Sequence, residues 1–383
     1  MYSEVVQLAE AMVAIPSVNP QDTGNIESPY GEARMADFLC DWLGRYNLNC
    51  YRQQVEPGRE NVLSLAEGAD RSKTLLLSAH MDTVDVDGMT IEPFEPVVRE
   101  GRLYGRGSCD TKGPLAALML AFRDRVDTGQ LPFNLALLAT CGEEFNLLGS
   151  GHYAKQAGDD LAAAVFAEPT DLSVVVAHKA VVRLKLTCYG RSAHSSTPHL
   201  GDNAIYTMTR AIAAVRRYGE GIAAEKPDPL LGTDTLAVTV VEGGRQINVI
   251  PNRCQARIDW RMLPSRNPDQ CRDELASVLA EELGRDKFGL ELLSVYNSMQ
   301  TDVSEPLVEA LLSAAQQTVR RRTAAAAPYA TDASSFADLG LPTCVFGPGS
   351  PTQAHTKDEY IEIEQLEKGQ LAYETFLNGR WPV

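Results

Sequence analysis

The sequence predicts an α/β fold that is interrupted by a separate α+β domain. Up to about His178, short apolar strands alternate with amphipathic helices, which is typical of a sheet covered by helices on both sides. After His178 the strands alternate apolar and polar side chains, as strands with one exposed face do. From Glu305 the first pattern returns, so we expect one domain to be inserted into the other.

In the first block, the spacing of apolar residues predicts the helices and strands. Apolar residues at helical spacing predict helices over 5–15, 31–43, 112–125 and 147–156, the first of which stops before Pro16. Strands are predicted at 61–65, 74–80, 134–140 and 162–167, with an extended segment at 49–54. The run T-L-L-L-S-A-H at 74–80 is apolar enough to be buried on both faces.

The inserted block and the last block follow in the same way. One-sided strands are predicted at 180–189, 235–241, 253–261 and 290–295, with helices at 203–218 and 269–283. The last block contains a helix at 307–318, a short buried strand at 343–346 and a helix at 363–377. We therefore expect a first domain of residues 1–178 plus 294–383 and an inserted domain of residues 179–293.

Composition narrows the possible functions of the 383-residue chain. A net charge of −16, from 51 acidic and 35 basic residues, makes nucleic acid and anionic membranes poor partners. No stretch reaches the ~18–20 apolar residues of a membrane span, and no signal peptide is visible, so the cytoplasm is the expected location. The eight cysteines form no C-x-x-C pair, which favours mostly reduced, buried thiols over a disulfide framework.

Metal-type side chains stand at the ends of the predicted strands. His80 ends a buried strand, where α/β sheets place their ligand sites, and Asp82 can hold the free ring nitrogen of a metal-bound imidazole. Asp110 lies between a glycine-rich turn and a helix. Considered alone, His80 also fits a buried structural histidine, and Asp110 also fits a helix N-cap.

Further acids and a second histidine extend this set. Glu143 and Glu144 follow another buried strand, and two adjacent carboxylates repel each other unless a cation or a shared proton relieves them. One of them can bind metal while the other serves as a base, although a solvated loop is an alternative interpretation. Glu168 ends the next strand, and His355 follows the segment G-P-G-S.

Taken together, these positions predict a metal centre at one edge of the sheet. Two imidazoles with several carboxylates suit zinc, with cobalt or manganese as possible substitutes. The competing motifs H-E-x-x-H, G-x-S-x-G and Walker A do not occur in the sequence.

The ordered motifs H-x-D, G-x-x-D-x-K-G, G-E-E, E-P-T and a late A-H resemble the acetylornithine deacetylase and succinyl-diaminopimelate desuccinylase family of two-zinc amidohydrolases. The resemblance covers nearly the whole chain. It implies a mixed, mostly parallel catalytic sheet and an inserted ferredoxin-like domain that acts as a lid and dimerises. It also implies a cis peptide after the aspartate that bridges the two metal ions.

The resemblance implies a role for each motif residue. His80 and Glu168 would bind one zinc ion, Glu144 and His355 the other, and Asp110 would bridge both. Asp82 would support His80, and Glu143 would be the general base.

In the inserted domain, the segment G-R-S-A-H-S-S-T-P-H resembles the family's lid segment. Its His194, which alone would read as an ordinary surface histidine, would reach the active site of a partner subunit. The segment N-V-I-P-N-R-C-Q-A-R-I-D-W-R implies that Asn248 and Arg261 bind the substrate carboxylate.

The predicted activity is hydrolysis of the amide of a small N-acyl amino acid by a homodimer. The motifs look most like acetylornithine deacetylases, which implies conversion of N-acetylornithine to ornithine and acetate in arginine biosynthesis. A succinyl-diaminopimelate desuccinylase, a dipeptidase or an aminoacylase on the same metal centre stays open. A non-catalytic zinc-binding scaffold is a further alternative, although binding alone does not require Glu143.

Overall fold

A computed structural model describes residues 2–21, 25–320 and 323–379 of the chain. Within them the α-helices are α1 (Glu4–Val13), α2 (Ala33–Arg45), α3 (Lys112–Asp127), α4 (Glu143–Asn146), α5 (Leu148–Ala154), α6 (Ala204–Ala223), α7 (Pro268–Leu283), α8 (Pro306–Val319) and α9 (Ile363–Asn378). Two 3-10 helices cover Pro198–Leu200 and Asp332–Leu339.

The strands of the first half are β1 (Tyr51–Glu56), β2 (Arg59–Ala66), β3 (Asp70–His80), β4 (Val97–Arg99), β5 (Arg102–Tyr104), β6 (Phe133–Thr140), β7 (Leu161–Phe166), β8 (Val174–His178) and β9 (Ala180–Tyr189). Those of the second half are β10 (Ala193–His194), β11 (Thr235–Gly243), β12 (Val249–Ile250), β13 (Arg253–Met262), β14 (Phe288–Tyr296), β15 (Met299–Gln300), β16 (Ala324–Ala327), β17 (Thr343–Val345) and β18 (Tyr360–Glu362).

Contacts within the chain divide it into two compact units. The first comprises Met1–Val176, Gln300–Ala325 and Thr331–Val383, and the second comprises Ala177–Met299 and Ala326–Ala330. The first unit is therefore built from chain segments that come before and after Ala177–Met299 in the sequence. The sequence-based insert at 179–293, and its role as a lid and dimerisation domain, stay predictions.

The large sheet has a parallel centre and antiparallel neighbours. Its strand order is β1-β2-β6-β3-β7-β17-β8-β15, and β16 pairs with β8. The strands β6, β3, β7 and β17 run parallel, whereas β1, β2 and β6 pair antiparallel. In the parallel centre, Leu77 of β3 stands between Leu137 and Val165 of its two neighbours. These runs are apolar because both faces of the centre are covered.

Alternate residues of the central strands enter different layers. Leu75, Leu77 and Ala79 join the main core, to which α1, α2, α3, α8 and α9 contribute. On the other face, Phe166 packs edge-on against Phe336 of the 3-10 helix, with ring centroids 5.0 Å apart. This is the three-layer α/β arrangement expected from the period-two pattern.

The second unit has a four-stranded antiparallel sheet with strand order β11-β13-β9-β14. Val182, Leu184 and Trp260 point to a core that α6 and α7 complete. The polar residues between them, such as Arg183 and Arg257, are exposed. An antiparallel sheet with helices on one face is the α+β architecture predicted from the sequence.

Two features depart from the sequence-based picture. A small sheet of order β18-β5-β4 was missed, because strands of three residues carry no periodic signal. Cys40 and Cys50 form a disulfide, with Cα atoms 5.4 Å apart, whereas the sequence analysis expected the cysteines to be mostly reduced and identified no pair. The other six cysteines are free and buried. Over the residues that the structure covers, the helices are too short or too polar to cross a membrane.

His178 generates a prediction about acid stability. Its side chain is fully buried, which lowers its pKa to about 4, and its Nε2 atom has no hydrogen-bond partner among the described residues. Between pH 6.5 and pH 4 the unfolded chain therefore binds a proton that the folded chain does not, so stability falls as the pH falls. Between pH 7.5 and pH 5.5 the free energy of unfolding of wild type should therefore fall by about 1.4 kcal/mol more than that of His178→Gln.

Urea unfolding of both proteins at the two pH values measures this difference. His199→Gln, a change at an exposed histidine of the same unit, is the control and should behave as wild type. An equal loss of stability in wild type and His178→Gln would contradict the prediction.

Candidate metal centre

The candidate site is built where three neighbouring strands end. His80 is the last residue of β3, the Glu143–Glu144 pair follows β6, and Glu168 follows β7. Since β6, β3 and β7 are adjacent and parallel, their carboxyl ends share one edge of the sheet. The side chains that the sequence places at these ends are therefore brought together.

Asp110 stands between the two imidazoles. Its Oδ1 atom lies 3.0 Å from Nε2 of His80, and its Oδ2 atom lies 3.4 Å from Nε2 of His355. Each carboxylate oxygen thus addresses a different ring, which is the arrangement required of a bridging ligand.

Two further carboxylates complete the cluster. Glu144 Oε2 lies 2.9 Å from Nε2 of His355, and Glu168 Oε2 lies 3.8 Å from Nε2 of His80. Ligand atoms from His80, Asp110 and Glu144 all lie within 4.8 Å of one another. The cluster therefore separates into a His80–Glu168 half and a His355–Glu144 half that share Asp110.

The electrostatics of the cluster favour a cation. Burial, reinforced by neighbouring carboxylates, raises the pKa of Glu144 to about 7 and the pKa values of Glu143 and Glu168 well above the usual range. Hydrogen bonds to Asp110 and Glu144 raise the pKa of His355 to about 10.

The residues present fit a metal ion. Glu144 Oε1 is buried without a hydrogen-bond partner among the described residues. The imidazole and carboxylate donors are those that zinc prefers.

Asp82 holds the Glu143–Glu144 turn. Its carboxylate accepts hydrogen bonds from the backbone N–H groups of Glu143 and Glu144, each at 3.1 Å, and from Asn19 Nδ2 at 2.7 Å. His80 Nδ1 lies 3.0 Å from the backbone oxygen of Asp82 and 3.5 Å from its Oδ1. Burial acts to raise the pKa of Asp82, but hydrogen bonding and charge from His80 outweigh it and keep that pKa below its usual value. The ring nitrogen of His80 thus lies closer to the backbone oxygen of Asp82 than to the carboxylate that was expected to hold it.

The backbone of the site has two unusual conformations. The Asp110–Thr111 peptide is cis, as the family resemblance implied. His355 has a φ of 61°, in the left-handed region that disfavours residues with a side chain. Its ring is 54% exposed, so the loop presents this histidine to the surface.

Sequence reasoning assigned no role to three buried polar residues at this edge. Asn19 binds Asp82, and Asp332 accepts a hydrogen bond from Thr140 Oγ1. Burial raises the pKa of Asp332 to about 6. Glu359, four residues after His355, binds the turn that carries Asp110. These three residues occur in the segments S-V-N-P, A-T-D-A and T-K-D-E-Y, whose local sequence does not distinguish them from surface loops.

The other residues singled out from the sequence belong to the second unit. His194 lies in β10, where it pairs with Val249 of β12, and both His194 and Asn248 are exposed. The N–H of Ser195 donates to the backbone oxygen of Asn248, so the structure makes these two neighbours. Arg261 ends the row of outward residues on β13, and its Nε donates to Asp259 Oδ1 at 2.7 Å. Their roles stay predictions.

Comparison with known proteins gives consistent matches. The sequence profile of peptidase family M20/M25/M40 matches residues 76–379. A probable succinyl-diaminopimelate desuccinylase of Staphylococcus aureus is 30% identical, with 88% of this chain and 90% of the relative covered. An acetylornithine deacetylase of Proteus mirabilis is 31% identical, with 94% and 93% covered.

A solved structure extends the comparison to the fold. An M20-family metallo-carboxypeptidase of Sulfolobus solfataricus superposes with a TM-score of 0.79 at 20% identity and covers 98% of both chains. The α/β fold predicted from the sequence is thereby confirmed.

Asp82 generates a prediction for the site. In Asp82→Asn an amide NH2 replaces one acceptor oxygen, so at least one buried donor loses its partner, at a cost of about 1–3 kcal/mol. Because the freed donors include the N–H group of either Glu143 or Glu144, zinc affinity should fall by roughly 10- to 100-fold. Urea unfolding of the metal-free protein and calorimetric zinc titration measure the two effects.

Asp87→Asn, at an exposed position five residues later, is the matched control and should leave both quantities unchanged. If Asp82→Asn binds zinc as tightly as wild type, then Asp82 does not position the Glu143–Glu144 turn.

Proposed function

Since the chain belongs to peptidase family M20/M25/M40, we propose that it hydrolyses the amide bond of an N-acyl amino acid, with N-acetylornithine as the substrate. The family and the relatives indicate that the chain is a metal-dependent hydrolase. The observation that carries the proposal is the position of Asp110, whose two oxygens face different imidazoles.

We assign the ligands of two zinc ions from this arrangement. His80 and Glu168 would hold one ion, Glu144 and His355 the other, and Asp110 both. Cobalt or manganese could replace zinc on the same donors. When bound, such ions polarise the amide carbonyl and lower the pKa of an attacking water.

Glu143 is the proposed general base. It stands beside the ligand Glu144, and Asp82 fixes its backbone N–H. In this role its carboxylate takes the proton of the attacking water and delivers it to the leaving nitrogen. A scaffold that only bound zinc would not need a spare carboxylate here, which argues against the non-catalytic alternative.

His194 is the proposed donor to the developing oxyanion. Its Nδ1 accepts a hydrogen bond from the N–H of Ser196 at 3.1 Å, which leaves the ring proton on Nε2. An Nε2–H group is the donor that an oxyanion requires.

Arg261 and Asn248 are the proposed contacts of the substrate carboxylate. The ion pair with Asp259 orients the Arg261 guanidinium, whose planar fork suits a carboxylate better than a lysine does. Asn248 is exposed beside the strand that carries His194.

The choice of substrate is supported by the relatives and by the motifs. The acetylornithine deacetylase of Proteus mirabilis aligns with the larger share of this chain, and ornithine as product would place the enzyme in arginine biosynthesis. N-succinyl-diaminopimelate is the second candidate, because the Staphylococcus aureus relative carries that name. A dipeptide or another N-acyl amino acid is the third.

We further propose a cytoplasmic homodimer that associates through the second unit. Its strand β11 lies at the edge of the four-stranded sheet, and Val240 and Val241 are exposed there. Tyr206 on α6 is 71% exposed. An unpaired edge with apolar side chains is suited to pairing with a second copy.

Turnover of three substrates tests the proposal. Zinc-loaded protein should hydrolyse N-acetylornithine with a kcat/KM at least about ten-fold above its kcat/KM for N-succinyl-diaminopimelate or a dipeptide. A pocket that is shaped for one acyl group binds a different acyl group less well in the transition state. Ninhydrin detection of the released amine measures all three. A preference for the succinyl compound or for the dipeptide would identify that compound as the substrate in place of N-acetylornithine. Absence of turnover with all three would overturn the proposed reaction.

Subunit mixing tests the roles of Glu143 and His194 together. Glu143→Gln should lower kcat by about 10²- to 10⁴-fold and still bind zinc, because the base is lost and the ligands remain. His194→Asn should also be inactive, and mixed dimers of the two variants should recover part of the activity if each site uses the partner's histidine.

The control for Glu143→Gln is Glu92→Gln, at an exposed glutamate of the same unit. Retained activity in Glu143→Gln would overturn the assignment of the base. No recovery in dimers that demonstrably exchange subunits would overturn the shared site.

A further inference from the structure

Glu359 is a buried carboxylate whose hydrogen bonds run to Arg106 and to the backbone of the loop that carries Asp110. It immediately precedes β18, and its side chain is fully buried. Its Oε1 accepts hydrogen bonds from the N–H groups of Cys109 at 2.9 Å and Asp110 at 3.0 Å. Its Oε2 accepts from the N–H of Gly107 at 3.0 Å and from Arg106 Nη1 at 2.7 Å.

These four donors make the loop over 106–110 dependent on an anion. Three of them are backbone N–H groups that converge on one carboxylate, an arrangement that the φ of 83° at Gly107 permits. Arg106 is nearly fully buried and balances the charge of Glu359. Without the carboxylate, the N–H groups of Gly107 and Cys109 would be buried donors that lack their acceptor, and the loop would have to change shape.

The same residue connects the loop that carries Asp110 with the segment that carries His355. Glu359 is four residues from His355 along the chain, and its backbone oxygen accepts the N–H of Gly105 at 3.1 Å. The loop that carries Asp110 is thus tied at several points to the segment that carries His355. Where the two meet, Asp110 Oδ2 and His355 Nε2 are 3.4 Å apart.

We propose that Glu359 is a positioning residue that fixes Asp110 relative to His355 and thereby sets the affinity and geometry of the metal site they share. The inference rests on the proposed metal centre. Glu359 acts through hydrogen bonds to the backbone of the Asp110 loop, so its replacement removes none of the proposed metal-binding side chains but alters their placement.

Two substitutions separate shape from charge. In Glu359→Gln an amide NH2 faces two of the four donors, so the loop must shift, and cobalt affinity at the Asp110–His355 site should fall by about 10- to 100-fold. Glu359→Asp keeps the charge and both acceptor oxygens on a shorter side chain, and should recover part of the affinity. Glu362→Gln is the matched control, because Glu362 lies in the adjacent strand and pairs with Arg102, but is 46% exposed.

The measurements are cobalt titration by calorimetry, the visible spectrum of the cobalt-loaded protein and thermal unfolding of the metal-free protein. A positioning role predicts a changed cobalt spectrum together with the weaker affinity in Glu359→Gln, whereas Glu362→Gln keeps the wild-type values. The spectrum reports the ligand geometry, which a loss of overall stability alone does not change.

A double-mutant cycle with His355→Ala provides the second readout. If Glu359 acts by placing Asp110 against His355, Glu359→Asp should weaken cobalt binding less when His355 is already absent. Additive losses would mean that Glu359 supports the fold in general and would overturn the proposal.

The outcomes distinguish this inference from the proposed function. If wild type binds no metal, the proposed metal centre fails and the inference fails with it. If wild type binds metal and both Glu359 variants bind it equally well with the same spectrum, only the positioning role is overturned. Should Glu359→Gln not fold, Glu359→Asp decides, and loss of folding in both variants would identify a purely structural residue.

Discussion

Buried carboxylates at one edge of the sheet impose the constraint on which the site depends. A carboxylate that is removed from water must find hydrogen-bond donors or a cation. Asp82 and Glu359 find donors in backbone N–H groups and in Asn19 and Arg106. The carboxylates of Asp110 and Glu144 instead meet imidazole nitrogens. The first pair therefore shapes the framework, and the second pair remains suited to a metal.

Both turns that carry candidate ligands are wrapped around an acid from a different part of the chain. Asp82 accepts the N–H groups at the start of α4, and Glu359 accepts those that lead into α3. In each case the backbone is shaped by an internal anion, so the protein itself fixes the positions of the candidate ligands. Such preorganisation reduces the rearrangement that a metal would have to impose on binding.

How far the sequence predicts this structure depends on how local each signal is. The strand ends that carry His80, Glu143 and Glu168 follow from apolar runs of a few residues, and parallel pairing brings them to one edge. Glu359 and Asp332 could not be found in this way, because their partners lie 250 and 192 residues away in the sequence. His194 illustrates a third case, since an exposed histidine has no distinguishing local pattern, and only the family resemblance singled it out.

The left-handed backbone of His355 has an evolutionary consequence. At a φ of 61° glycine is the relaxed choice and asparagine is tolerated, whereas histidine carries conformational strain. A mutation to glycine there would relieve that strain and would also remove an imidazole from the candidate metal centre. If His355 binds metal as proposed, stability and catalysis make opposite demands on this position, and glycine at the equivalent position of a homologue would indicate that the homologue has lost the metal-dependent activity.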